Sequence, residues 1–532
     1  MNNQPGDLEN DYNSKVKLIN ALTGAAPYSH PIKPVRLVET HISWVLLTGE
    51  FAYKIKKPVS FGFLDFSTLE KRRFFCHEEI RLNRRLAAEI YLEVVSITGP
   101  PAAPVIGGTK EVIEYAVKMK QFSEGVLLSE LAGSKQLSAD EIDQIADILA
   151  DFHQQVEPAE QASSYGNAAD IKHWFDENFE QIKPLLRDLH NPQQLNAIQL
   201  WGGREWHRRT ELMELRKQQG FVRECHGDLH LSNMTLIDGK VTLFDCIEFN
   251  PMLRWIDVVS EVAFLMIDLC YFGYQNYAFR FLNRYLQHTG DYQSLGVLRY
   301  YLVYRAMVLA KVALLRMQQC RDSESRLAQK KFTAFMNLAE KFSEQSGPVL
   351  IITHGFSGSG KSTFAGLLSE AVGALQLRSD IERKRRFGYS AHEKTKSAVD
   401  GDIYSPEASR QTYRDLADMA KPVLEAGFPV IVDATFLKIE QRALFRNLAA
   451  ACNIPFIILD VIVSRQELAR RVQSRKNDAS EATIEILQHQ LRSAQPLTPK
   501  EAEHVVNIDC DQCRALADCL FRIAQLRTNT GL

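Results

Sequence analysis

The sequence predicts two domains of different class: an α+β domain with a strand-rich and a helical lobe, then an α/β domain on a parallel sheet. Three observations predict this. From Arg36 to Lys56 the chain alternates with strand period (Val38, His41, Trp44, Leu46, Phe51, Tyr53), and a helical run follows at about 69–86. After Asp257 the pattern is almost wholly helical to about Phe342. From Val349 onward, short apolar runs at 349–352, 430–432 and 456–463 alternate with helical segments, as in a parallel sheet covered on both faces. The 532 residues exceed one ordinary core. Ser343-Glu344-Gln345-Ser346-Gly347-Pro348 reads as a connector, so the domains are expected at 1–345 and 346–532.

Within the first domain, Ile113 to Met119 reads as a further strand, and Ser138-Ala139-Asp140-Glu141 is a capping box that opens a helix through Phe152. The apolar stretch Val258 to Tyr274 carries Glu261 and Asp268. It is too short and too charged to span a bilayer and is expected to be a buried helix. No membrane association is expected. Hydrophobic residues make up 45% and charged residues 24%, the mix of a soluble globular protein. The formal net charge of -2 excludes a global basic field that would draw nucleic acid or anionic lipid. The polar, acidic start Met1 to Ser14 lacks a secretory pattern, and nine scattered cysteines fit a reducing, cytoplasmic setting. Cys510, Cys513 and Cys519 form the one cluster; a CxxC without a second ligand pair is weak evidence for zinc.

The second domain opens on its strongest motif. Gly355-Phe356-Ser357-Gly358-Ser359-Gly360-Lys361-Ser362 fits GxxxxGK[ST] at every fixed position, between a strand and the helix begun by Thr363. Glycines let backbone N–H groups turn inward around phosphate oxygens, and the helix N-terminus adds partial positive charge. Lys361 is expected to reach the β and γ phosphates of ATP, and Ser362 to hold Mg²⁺. Asp433 ends the strand at 430–432, where a carboxylate sits beside the phosphate loop as a second metal-holding group.

Arg378-Ser379-Asp380-Ile381-Glu382-Arg383 ends the next strand. Here the domain resembles the polynucleotide-kinase-like and gluconate-kinase-like P-loop kinases, which carry D-x-x-R at this place. The resemblance implies that Asp380 activates an acceptor hydroxyl and that Arg383 contacts the acceptor. Arg471 and Arg475 share a helix face, with Arg470 beside them. In this kinase class an arginine-bearing lid closes over the phosphates, and these residues are its candidates.

In the first domain, His226-Gly227-Asp228-Leu229-His230-Leu231-Ser232-Asn233 sets an Asp and an Asn five apart, the spacing of the protein-kinase catalytic loop. Val241-Thr242-Leu243-Phe244-Asp245 is a short strand ending in an Asp where kinases hold Mg²⁺. This HGDxHxxN and D-x-x-E pattern resembles the aminoglycoside phosphotransferase and choline kinase superfamily. The resemblance implies that Asp228 is the base, that Asn233 and Asp245 bind Mg²⁺, and that Glu248 completes the segment. His226 and His230 read as braces of the loop. Lys54 reads as the kinase lysine with Glu79 as its helix partner, Lys56 and Glu78 being the fallback pair, and 119–122 would lie beside adenine. No GxGxxG separates the first strands; Thr40-His41-Ile42-Ser43-Trp44 occupies that turn.

Over nearly its full length the chain is similar to the bacterial family called bifunctional aminoglycoside phosphotransferase/ATP-binding protein. The matching stretches include Ser43-Trp44-Val45, Tyr53 to Pro58, Phe63 to Phe66, the His226 loop and Gly355 to Thr363. The resemblance implies a protein-kinase-like fold followed by a P-loop NTPase sheet, and ATP binding. With Asp228, Asn233 and Asp245 in one domain and Asp380 beside the phosphate loop in the other, both are expected to use ATP and Mg²⁺ to phosphorylate small hydroxylated molecules. Two other readings stand beside it. One domain would be a nucleotide sensor for the other, the missing glycine loop pointing to the first. Alternatively, Arg383-Lys384-Arg385-Arg386 would let the second domain act on nucleic-acid 5′-hydroxyl ends.

Overall fold

The computed structural model describes residues 5–62, 64–186, 192–319, 322–344, 347–391, 393, 395, 402–474, 483–509, 516–517, 519–520 and 523. By contacts the chain divides into two compact units. One comprises Met1–Glu141, Gln155–Asp170 and Arg216–Glu261; the other comprises Ile142–Gln154, Ile171–Leu215 and Val262–Leu532.

The first unit is organised by a six-stranded antiparallel sheet. Its order is Arg36–Glu39, Ser43–Leu47, Phe51–Lys56, Val112–Lys120, Tyr91–Thr98 and Val105–Ile106. The expected strand alternation at 36–56 is thus three strands, and the outermost is wholly exposed. Successive side chains on a strand face opposite sides. Tyr53 and Ile55 pack with Trp44, Leu46, Leu18, Ile19 and Leu22 under the helix Pro5–Leu22. That helix covers the sheet although the first residues read only as polar. On the other face the helix Leu69–Ala87 brings Cys76 and Ile80 against Tyr91 and Val117. The Thr68 hydroxyl caps this helix by accepting from Lys71 N–H. Lys54 and Lys56 share that second face, which decides the chemistry below.

In the second unit a five-stranded parallel sheet runs in the order Leu375–Arg378, Val430–Asp433, Leu350–His354, Phe456–Ile462, Val505–Asp509. The first strand in sequence is central, so the loop after it opens at the carboxyl edge of the sheet, where α/β proteins bind ligands. Leu350, Ile351 and Ile352 are fully buried, as are Val430, Ile431 and Val432, because helices lie on both faces. The same unit contains, from Val262 on, the helical segment expected after Asp257, including Gln275–Thr289, Leu295–Gln319 and Asp322–Ser343. The helix Val258–Tyr271 opens that segment and ends three residues before the expected Tyr274. That helix is buried as expected. Among the described residues, no helix is long and apolar enough to cross a membrane. Cys519 is buried in the core below the sheet; Cys510 and Cys513 lie outside the described residues.

Candidate active sites

In the first unit, two lysines on one strand face meet one glutamate. Glu79 Oε1 lies 2.8 Å from Lys54 Nζ, and Glu79 Oε2 lies 2.7 Å from Lys56 Nζ. Lys54 also reaches Asp245 Oδ1 at 2.5 Å, and Lys56 donates to Glu248. Burial alone would raise the Glu79 carboxyl, but the two ammonium groups hold it at about 2. Burial likewise works against charge on Lys54, yet Asp245 and Glu79 lift it well above the usual lysine range. The fallback pair does not form: Glu78 is bound by Arg81, and Lys56 takes Glu79 and Glu248 instead. The reason is geometric, since Glu79 and not Glu78 projects to the face below the strand.

The loop from His226 to Asn233 is fixed at both ends. His226 Nε2–H donates to the Phe244 carbonyl at 2.8 Å, while Nδ1 accepts from Asp228 N–H at 3.3 Å. The Glu261 carboxylate receives His226 N–H at 3.2 Å and Gly227 N–H at 2.6 Å. The sequence showed Glu261 only as a break in an apolar run, yet it is fully buried and anchors the loop. His230 Nε2 lies 3.3 Å from Asp228 Oδ2, and Asn233 Nδ2 donates to the Asp228 carbonyl at 3.0 Å and to Oδ2 at 3.2 Å. Both histidines therefore brace the loop. Asp245 adopts φ 65°, a left-handed backbone that Asp tolerates better than most residues, and its N–H donates to the Tyr91 hydroxyl at 3.1 Å.

Near the expected adenine segment, Gln121 N–H donates to the Glu50 carbonyl at 2.9 Å and the Gln121 side chain accepts from Gly49 N–H at 2.9 Å. Phe122 packs on Phe244 with ring centroids 5.3 Å apart. The turn that lacks glycines is held by Thr40, whose N–H donates to the Ser43 carbonyl at 2.9 Å. Lys57 Nζ also donates to the Thr40 carbonyl at 2.6 Å.

The second site is a cavity of ≈ 710 Å³ in the second unit. Ser357, Gly358, Gly360, Lys361, Ser362, Thr363, Asp380, Arg383 and Asp433 all line it. Gly355 has φ 141°, and a Cβ there would meet the Val461 carbonyl oxygen at 2.8 Å. Gly358 has φ 86°, and its Cβ would meet Val472 Cγ2 at 2.9 Å. Only glycine fits either place. Lys361 Nζ donates to the Phe356 carbonyl at 2.6 Å and lies 3.5 Å from Ser359 Oγ. Ser362 hydrogen-bonds the Asp433 carboxylate. Burial raises the Asp433 carboxyl, and Arg378, with Nε 3.7 Å from Oδ2, partly offsets this.

Asp380 begins the helix Ser379–Arg386, and Arg383 lies one turn on, with Nη1 3.6 Å from Asp380 Oδ1. The Arg383 guanidinium stacks over Tyr404 at 4.9 Å, and its Nε is buried with no hydrogen-bond partner among the described residues. The basic run does not form one face. Arg383 and Lys384 are buried, Arg385 is held by Glu382, and Arg386 pairs with Asp415 at 2.5 Å. Six lysine or arginine side chains line the cavity against three carboxylates.

Arg471 donates to Glu467 on its own helix at 2.6 Å and is not among the lining residues; Arg475 lies outside the described residues. Arg378 and Gln490 are among the lining residues that escaped sequence reasoning. Arg378 precedes Asp380, but its contact with Asp433 crosses strands. Gln490 accepts from Ser357 N–H at 3.0 Å and donates to Ser357 Oγ at 3.0 Å, from a helix 133 residues away in sequence.

Two kinase-like folds, each with a carboxylate-bearing site, define a phosphotransferase. Residues 75–300 match the phosphotransferase enzyme family and residues 350–497 match the AAA domain family, one after the other in a single chain. The chain is 28% identical over 461 residues to uncharacterized proteins of Mycobacterium tuberculosis (strain H37Rv) and Mycobacterium bovis, covering 86% of this chain and 90% of theirs. Among solved structures, choline kinase from Cryptosporidium parvum Iowa II is 12% identical with a TM-score of 0.38, covering 62% of this chain and 96% of its own. A gluconokinase from Sinorhizobium meliloti 1021 is 22% identical with a TM-score of 0.26, covering 34% and 95%.

Proposed function

We propose that this chain is an ATP-dependent kinase with two nucleotide sites, in modules 1–345 and 346–532, each transferring the γ-phosphate to a hydroxyl of a small acceptor in the cytoplasm. The observation that carries this reading is the cavity of the second unit, where Asp380 and Arg383 share one wall system with the phosphate loop. In that site the loop amides and Lys361 hold the β and γ phosphates. Asp380 accepts the proton of the attacking hydroxyl, and Arg383 Nε, without a partner among the described residues, receives the acceptor. The excess of cationic lining favours an acceptor that itself carries negative charge.

In the first site Lys54 holds the α and β phosphates while Glu79 keeps it aligned, and Asp228 orients the acceptor. The candidate metal donors are all oxygens: Ser362 and Asp433 in one site, Asp245 and the Asn233 amide in the other. These are the hard ligands that suit Mg²⁺. Bound there, Mg²⁺ would spread the charge developing on the phosphates.

The test is transfer of radiolabelled γ-phosphate from ATP to a metabolite panel. Asp228→Ala and Asp380→Ala are each expected to abolish one transfer and retain ATP binding. Full turnover in both variants on an identified acceptor contradicts the base assignments. A second reading, with the first site as a sensor, is supported by its glycine-free turn. It predicts ATP turnover that is unchanged in Asp228→Ala.

A further inference from the structure

The second unit holds a junction that neither site accounts for. The strand Leu375–Arg378 is the edge of the parallel sheet, so half its backbone groups have no strand partner. One side chain of the preceding helical segment supplies what a neighbouring strand would. Asn283 Nδ2 donates to the Ala374 carbonyl at 2.9 Å, and Asn283 Oδ1 accepts from Gln376 N–H at 2.7 Å. Asn283 is 6% exposed, which leaves no water to replace these bonds.

From Gln376 the connection continues to the chemistry. The Gln376 side-chain amide donates to Asp433 Oδ2 at 3.1 Å and to the Ser362 carbonyl at 3.4 Å. The helix Gln275–Thr289 therefore reaches the two candidate metal-holding residues through one glutamine.

A second contact flanks the other end of the strand. The Tyr292 hydroxyl donates to Glu382 Oε1 at 3.1 Å, and Arg385 links the other Glu382 oxygen to the Gln287 carbonyl. Glu382 and Arg385 lie on the helix that carries Asp380 and Arg383. The approach is close: a Cβ at Gly373 would meet the Phe279 ring at 2.9 Å.

We propose that Asn283 and Tyr292 are positioning residues for the P-loop reaction. They set the height of the edge strand and the orientation of the helix Ser379–Arg386, and so the approach of Asp380 and Arg383 to the γ-phosphate. The inference rests on Asp380 being the acceptor base. It predicts that the P-loop kinase works only with the helical segment before it in the chain, and that the segment acts on turnover and not on nucleotide affinity.

The experiment uses the full chain carrying Asp228→Ala, so that turnover comes from the second site. Asn283→Leu keeps the branched shape and removes both bonds; Tyr292→Phe removes one hydroxyl. Expected are a fall in kcat of about tenfold for Asn283→Leu and about threefold for Tyr292→Phe, with the KM for ATP within about twofold. In ATP-bound protein, amide exchange at 375–386 should rise in Asn283→Leu while exchange at 356–363 holds. Unchanged kcat in both variants overturns the proposal, as does unchanged exchange at 375–386. If the parent shows no Asp380-dependent turnover, the kinase reading has failed, and the exchange result alone decides whether these residues position the strand and helix.

Discussion

The two candidate sites gather charge by opposite means. In the first, side chains do it: Lys54 and Lys56 stand between Glu79, Asp245 and Glu248, and the network is complete before any ligand arrives. In the second, backbone does it: Gly355 and Gly358 turn the chain at positive φ around an open cavity. Removing a charge from the first breaks a buried ion network, whereas changing the second alters the backbone of a loop that lines a cavity.

The largest expected effect tests this difference on its strong side. Lys56→Met leaves Glu248 buried without its cation, so unfolding free energy should drop by about 3–5 kcal/mol in denaturant titration. A loss below about 1 kcal/mol would show that the network is not what holds the first unit together.

The pH dependence follows from Glu79. Its carboxyl sits at about 2 in the folded protein, below the ordinary 4.5. A lowered folded value adds stability that is present above the unfolded value and lost as pH falls through the folded one. The first unit should therefore lose stability on acidification through that window. Glu79→Gln should flatten the acid limb; an acid limb as steep as wild type would remove Glu79 as its source.

At the second site the effect should be read on binding. Gly355→Ala sets a Cβ against the Val461 carbonyl at a forbidden φ, so ATP affinity at the loop should weaken about tenfold or more. Affinity at the first site should hold, as read by calorimetry in a Lys54→Ala background and its reverse. The smallest effect is expected at Arg386→Ala. It removes a half-exposed pair with Asp415, and the unfolding free energy should change by less than about 0.5 kcal/mol, with ATP affinity unaltered. A marked loss of oligonucleotide binding in that variant would revive the nucleic-acid reading.

The contrast also explains what was legible in the sequence. A backbone device needs glycines at fixed spacing, so Gly355 to Ser362 announced itself, and the strand ending in Asp433 followed from its apolar run. Asp228 and Asn233 were visible because one loop carries both. Long-range side-chain networks leave no such spacing. Glu261 under the His226 loop, Glu248 on Lys56 and Asn283 on the edge strand each join partners 34 to 192 residues apart. The helix Pro5–Leu22 was missed because its buried side, Leu18, Ile19 and Leu22, lies behind a polar start.

The most direct test of the central claim is the number of ATP molecules bound per chain. Calorimetric titration should give two for wild type, one for Lys54→Ala and one for Lys361→Ala, with none for the double variant. One ATP per wild-type chain, lost completely with Lys361→Ala, would contradict a molecule that captures polyphosphate through side chains in one unit and through backbone in the other.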